Sequence, residues 1–148
     1  MKSPLLKNVL AAVLGYVAMF AVSFPLFSLM WMVLGADDAF QPGSWQVSGA
    51  WIASSIVLGL IVSTAGGFTC SKLAANRTGV AILVGLVIVL AIVALLPDGS
   101  TAPGVRPDDI SMLDAMTSAE QPNWVLWINP LIGVLGVLGG AKFEESRR

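Results

Sequence analysis

The chain predicts an all-α membrane protein with four transmembrane helices in a single domain over residues 1–148. Two observations carry this reading. Apolar residues make up 56% of the chain and charged residues only 11%, against about 45–50% and about 25% in soluble domains. A water-facing surface of that composition would aggregate. The apolar residues also fall into four runs free of charge, each long enough for a bilayer core that takes about 17–25 residues per helix. Helices are the economical way to satisfy that much backbone in lipid.

The first run covers residues 9–34, long enough to tilt, with Pro25 positioned as a kink. Lys2 and Lys7 precede it as they would a signal peptide. Its apolar core exceeds the roughly 7–15 residues of a signal, and no small-residue cleavage site follows, so it reads as an uncleaved anchor. The second run covers 47–70, the third 80–96 (the shortest and most aliphatic), and the fourth 124–141. Outer loops then occupy 35–46 and 97–123, and one short inner loop occupies 71–79. The long outer loop opens on turn-formers, among them Pro97, Asp98, Gly99 and Pro103. From residue 108 to 119 it carries acids first and then Ile110, Leu113 and Met116 at helical spacing. That pattern predicts a short interfacial helix over the bundle mouth, with an acidic flexible loop as the alternative.

Charge sets the direction. Lys2, Lys7, Lys72, Arg77, Lys142, Arg147 and Arg148 fall on one side, and Arg106 alone on the other. Asp37, Asp38, Asp98, Asp108, Asp109, Asp114 and Glu120 accompany Arg106, while Glu144 and Glu145 sit with the basic group. Basic loops stay cytoplasmic, so both termini are expected inside, N-in and C-in.

The halves hold a parallel repeat of two helical hairpins as an open question. Gln41-Pro42-Gly43-Ser44-Trp45 precedes the second span, and Gln121-Pro122-Asn123-Trp124 opens the fourth. Trp51 stands fifteen residues before Gly66-Gly67, and Trp124 fifteen before Gly139-Gly140. Repeats of this kind relate transporter halves, but tryptophans at one boundary and glycines at the other also recur without ancestry.

Three groups of residues are candidates for more than lipid contact. Ser55, Gly59, Ser63 and Gly67 on the second span, with Gly133, Gly136 and Gly140 on the fourth, form small-residue rows that let helix backbones approach. They predict that these two spans make the packed centre. Trp31, Trp45, Trp51, Trp124 and Trp127 all fall near the outer boundary. They read either as an aromatic belt or as a pocket for a lipid headgroup, a cation or a protein partner. Asn129-Pro130 places an amide beside a residue that frees a carbonyl one turn earlier, either a polar site at a helix break or a simple bend.

Absences narrow the function. The chain has no histidine, so no His-activated nucleophile or His-ligated metal is available. No acid or base lies within a span, which disfavours proton coupling. With a single cysteine, Cys70, no disulfide closes within the chain. No basic stripe addresses nucleic acid. No catalytic residue, cofactor or metal site is therefore expected. The residues favour a non-enzymatic accessory or structural subunit acting through helix packing, with a membrane-protein partner or a homo-oligomer besides the bilayer. A small transporter or channel for a neutral or lipidic substrate, and an outer-face lipid or cation sensor, are the alternatives.

Gly15-Tyr16-Val17-Ala18-Met19-Phe20, the stretch Leu29-Met30-Trp31-Met32-Val33-Leu34-Gly35, and the segment from Gln121 to Gly140 resemble uncharacterised small bacterial four-helix inner-membrane proteins. That resemblance implies a multi-pass protein of the bacterial cytoplasmic (inner) membrane. It brings no assigned activity and no functional residues.

Overall fold

The computed structural model describes residues 3–96 and 104–147; Lys2, Arg148 and the loop opening with Pro97, Asp98, Gly99 and Pro103 lie outside the described residues. Five helices make up the described chain: α1 Pro4–Ala39, α2 Gly49–Leu73, α3 Thr78–Ala94, α4 Met112–Ser118 and α5 Asn123–Glu145. Three of them, α1, α2 and α5, are long and apolar enough to cross a membrane, while α3 is apolar but has 17 residues.

Local chemistry fixes the ends. Ser3 caps α1 by accepting from the Leu6 N–H at 3.3 Å, with Pro4 at the first helical position. The helix runs through Pro25 and past the expected limit at residue 34. Its break lies at Gly35, whose φ of 64° only glycine adopts cheaply, and one further turn ends at Ala39. Ser48 caps α2, so α2 starts two residues later than the hydropathy suggests. Val47 is apolar because it is buried in the adjoining hairpin and not because it is helical. Ser111 and Asp114 form a capping box that starts α4 after Asp108 and Asp109. Ala115 is consequently the buried residue of α4 and Leu113 is exposed, a face displaced from the expected Ile110, Leu113 and Met116.

The most extensive helix contact joins α2 to α5, followed by α1 to α2. Its basis is backbone-to-backbone approach. A Cβ added at Gly67 would overlap the Val137 carbonyl, and one at Gly140 would overlap the Thr64 carbonyl. One at Gly136 would collide with the Ser63 hydroxyl, which itself donates to the Gly59 carbonyl at 2.6 Å. Gly15 of α1 likewise lies against Cys70 and the Gly66 carbonyl of α2. Ala11, Ala12, Cys70, Val80, Leu83, Val137 and Ala141 form one core cluster around these contacts.

This closed end is finished by hydrogen bonds. Asn8 is 2% exposed, donates to Asn76 Oδ1 at 2.8 Å, and accepts from the Ala75 N–H at 2.9 Å. Asn76 Oδ1 in turn accepts from the Thr78 N–H at 3.0 Å, opening α3. Ser71 bonds Glu144 at 3.1 Å, and Arg77 pairs with Glu145 at 3.1 Å.

The opposite, loop end holds a second cluster of Ala39, Phe40, Trp45, Val47 and Ala115. Phe40 and Val47 pair as an antiparallel bridge, and Gln46 pairs with Glu120 in parallel, so the short loop is a hairpin pinned to the long one. Arg106 is buried over the Phe40 ring at 5.6 Å, 3.7 Å from the exposed Asp37. Its Nε has no hydrogen-bond partner among the described residues.

Candidate functional site

A cleft of about 430 Å³ lies between α1, α2 and α4, walled by Phe20, Phe24, Phe27, Trp31, Phe40 and Trp51 and roofed by Met112, Ala115 and Met116. On α1 the aromatic wall is written at spacings of four, three and four residues, which stacks Phe20, Phe24, Phe27 and Trp31 on one face. The rings meet in a relay of tilted and edge-on contacts: Phe27 to Trp51, Trp51 to Trp31 and Trp31 to Phe40 at 6.3 Å each, and Phe40 to Trp45 at 6.0 Å. Such geometry suits the ring quadrupoles and holds bulky walls in place.

A second cavity of about 340 Å³ continues from this cleft into the bundle, bounded by all four long helices. Phe27, Trp51 and Gln121 border both spaces. The inner cavity descends along α2 from Trp51 past Ser55 and Gly59 to Ser63, with Met19, Val87 and Gly133 around its deep end. Asn129 lies on its wall and donates to Gln121 Oε1 at 3.4 Å, a long hydrogen bond. The two serines are internally occupied: Ser55 donates to the Trp51 carbonyl at 2.7 Å, and Ser63 to that of Gly59. Among the described residues no charged side chain lines either space.

The sequence candidates are thus redistributed. Trp31 and Trp51 join the cleft, and Trp45 is buried behind it in the loop cluster. Trp124 and Trp127 stay exposed on the outside of α5. Asn129 reaches the inner cavity, and Pro130 follows it within α5. Ser55, Gly59, Ser63 and Gly133 border that cavity, whereas Gly67, Gly136 and Gly140 are consumed in the α2–α5 contact. Sequence reasoning missed the phenylalanines of α1, Gln121 as a wall residue, and Asn8. The aromatic stripe at helical spacing was the available signal for the first.

Among the described residues no group of three or more Cys, Asp or Glu side chains converges as a metal site would require. Comparison with known families, curated proteins and solved structures finds no match for this chain.

Proposed function

We propose that this chain is a multi-pass protein of a bacterial cytoplasmic membrane, crossing four times with both ends inside. We further propose that its role is to bind a lipid-like molecule in the loop-end cleft without catalysing a reaction on it. Seven of the eight basic residues on one side support the direction. The 17 residues of α3 rise about 26 Å, at the short limit for a core of about 30 Å, so a fourth crossing asks for slight local thinning.

The observation that carries the binding reading is the cleft itself: about 430 Å³, aromatic and apolar, with no charge among the described residues that line it. Sites for small molecules have this size and character. In the proposed orientation the cleft lies at the outer leaflet, where acyl chains reach it without leaving the bilayer. The test is a variant that keeps only Trp31 and Trp51, with Trp45, Trp124 and Trp127 changed to Phe, titrated in detergent micelles with a lipid brominated on its chain. Quenching should saturate, while a variant keeping only Trp124 and Trp127 should quench without saturation. Equal behaviour of the two would remove the cleft as a binding site.

The accessory-subunit reading keeps one specific support. A shallow apolar groove between α1 and α2, lined by Leu29, Met30, Val33, Ala53 and Val57, is the face left for a partner helix. The glycine rows that first favoured this reading are occupied within the chain, so it takes second place.

A further inference from the structure

The two adjoining cavities, with Gln121 on their shared wall and its partner Asn129 on the inner one, point to a ligand class. We infer that the bound molecule is an uncharged single-chain amphiphile. Its hydroxyl, ester or amide head meets Gln121 and Asn129, and its chain descends the inner cavity toward Ser63. This inference rests on the cleft being a binding site and concerns what that site selects.

Hydrogen-bond capacity comes first. The Asn129–Gln121 contact uses one donor of Asn129 and the acceptor of Gln121. The Asn129 carbonyl, its second N–H and both N–H groups of Gln121 have no other partner among the described residues. Two exposed amides at the mouth of an apolar space, each with hydrogen-bond capacity left over, offer both donors and acceptors to a neutral polar group. Pro130 adds to this by lacking the N–H that would engage the Leu126 carbonyl.

Charge excludes the alternatives. A phosphate or carboxylate head would enter a space with no cation among the described residues of its wall. The one basic residue of this end, Arg106, is buried against Phe40 and Asp37 and lines neither cavity. An anion drawn into either apolar space would stay unpaired there, whereas a hydroxyl or ester finds an amide at its edge. A cationic head would find aromatic faces but no acid, since among the described residues no Asp or Glu lines either space.

Shape supplies the chain. Trp51 and Ser63 are twelve residues apart on α2, about 18 Å of rise, and the wall between them is apolar apart from hydroxyls already bonded to their own helix. That depth suits an extended hydrocarbon chain entering tail-first from the cleft.

The experiment uses the full chain with only Trp31 and Trp51 retained. Three probes carry the same brominated chain: a monoacylglycerol, a lysophosphatidic acid and a bromoalkane without a head. The monoacylglycerol should quench saturably with a Kd roughly tenfold or more below either of the other two. Asn129→Leu and, separately, Gln121→Leu should weaken it roughly three- to tenfold, as loss of one neutral hydrogen bond does. Gln121 lies outside every helix, so its variant keeps the fold even where the Asn129 change does not; elution as a monodisperse species checks both. Equal affinity for the phosphate probe, equal affinity for the bromoalkane, or indifference to Gln121→Leu would overturn the headgroup inference and leave the cleft standing. Absence of saturation with all three probes would remove both.

Discussion

Gly139 and Gly140 are neighbours on α5, and the same substitution at each should change stability in opposite directions. At Gly139 an added Cβ has nothing within 4 Å. Gly139→Ala therefore gains only helix propensity, up to about 1 kcal/mol. At Gly140 the Cβ overlaps the Thr64 carbonyl oxygen and stands 2.8 Å from its carbon and 2.9 Å from the Phe68 nitrogen. These are backbone atoms of α2 and cannot rotate away, so relief comes only from moving α2 and α5 apart by more than half an ångström. Separation on that scale forfeits a quarter to a half of each dispersion contact it opens. Overpacking of this kind costs about 1–3 kcal/mol, and the rigid obstacle places Gly140→Ala near the top of that range. Subtracting the propensity gain leaves a net loss of about 2 kcal/mol. Unfolding in mixed micelles with rising SDS fraction reads both variants against the parent. Two shifts of the same sign would show that α2 and α5 do not meet as described.

Other perturbations address other parts. Asn8→Ala strips acceptors from the Ala75 and Asn76 N–H groups at a buried site and should cost about 2–3 kcal/mol. Hydrogen exchange at Ala75 and Asn76 should rise with it, and unchanged exchange would mean the clamp does not form. Ser111→Ala removes a cap worth about 1 kcal/mol from a helix of seven residues, which has little other support. Exchange at the Ala115 and Ala119 amides is the readout, and protection equal to the parent's would deny the capping box its role. For the topology, Cys70→Ala with Asp109→Cys should label from outside intact cells with an impermeant maleimide. Ser3→Cys in the same background should label only after permeabilisation, and the reverse pattern would invert the proposed orientation.

What was legible in the sequence follows the strength of local physics. Long apolar runs announce helices whatever their partners, and α1, α2, α3 and α5 appear where hydropathy puts them, within a few residues. Ends were harder, because they depend on single caps. Val47 looks like the start of a span and is instead the inward residue of a hairpin, since Ser48 caps α2 just after it. The hairpin itself was hidden: it is short, and its second partner, Glu120, lies 74 positions along the chain from Gln46. The tryptophans shared one boundary and so read as one group. Which of them face a cleft depends on helix rotation, and five similar rings carry no information about that. Asn8 escaped notice because its partners, Ala75 and Asn76, become neighbours only when α1 and α2 pair.

The placement of small and large residues explains why a cavity exists at one end and not the other. Gly15, Gly66, Gly67, Gly136 and Gly140 draw the backbones together toward the closed end, where a side chain at any of them would collide. Nearer the loop end the positions facing the cleft are Phe24, Phe27, Trp31 and Trp51, whose rings stand between α1 and α2. Close backbone contact at one end and bulky rings at the other leave space within the bundle, and interiors tolerate such space poorly unless something fills it. The loop hairpin and α4 roof the cleft without filling it, and Phe40 is the ring that links roof to wall. Arg106 serves that roof: buried against Phe40, it ties the long loop down, which gives a structural reason for one basic residue on the acidic side. Truncating Phe27 or Trp51 should therefore enlarge the opening, whereas enlarging Gly67, Gly136 or Gly140 should unseat α2 from α5. A fold divided in this way concentrates its backbone-to-backbone contacts at one end and its open space at the other.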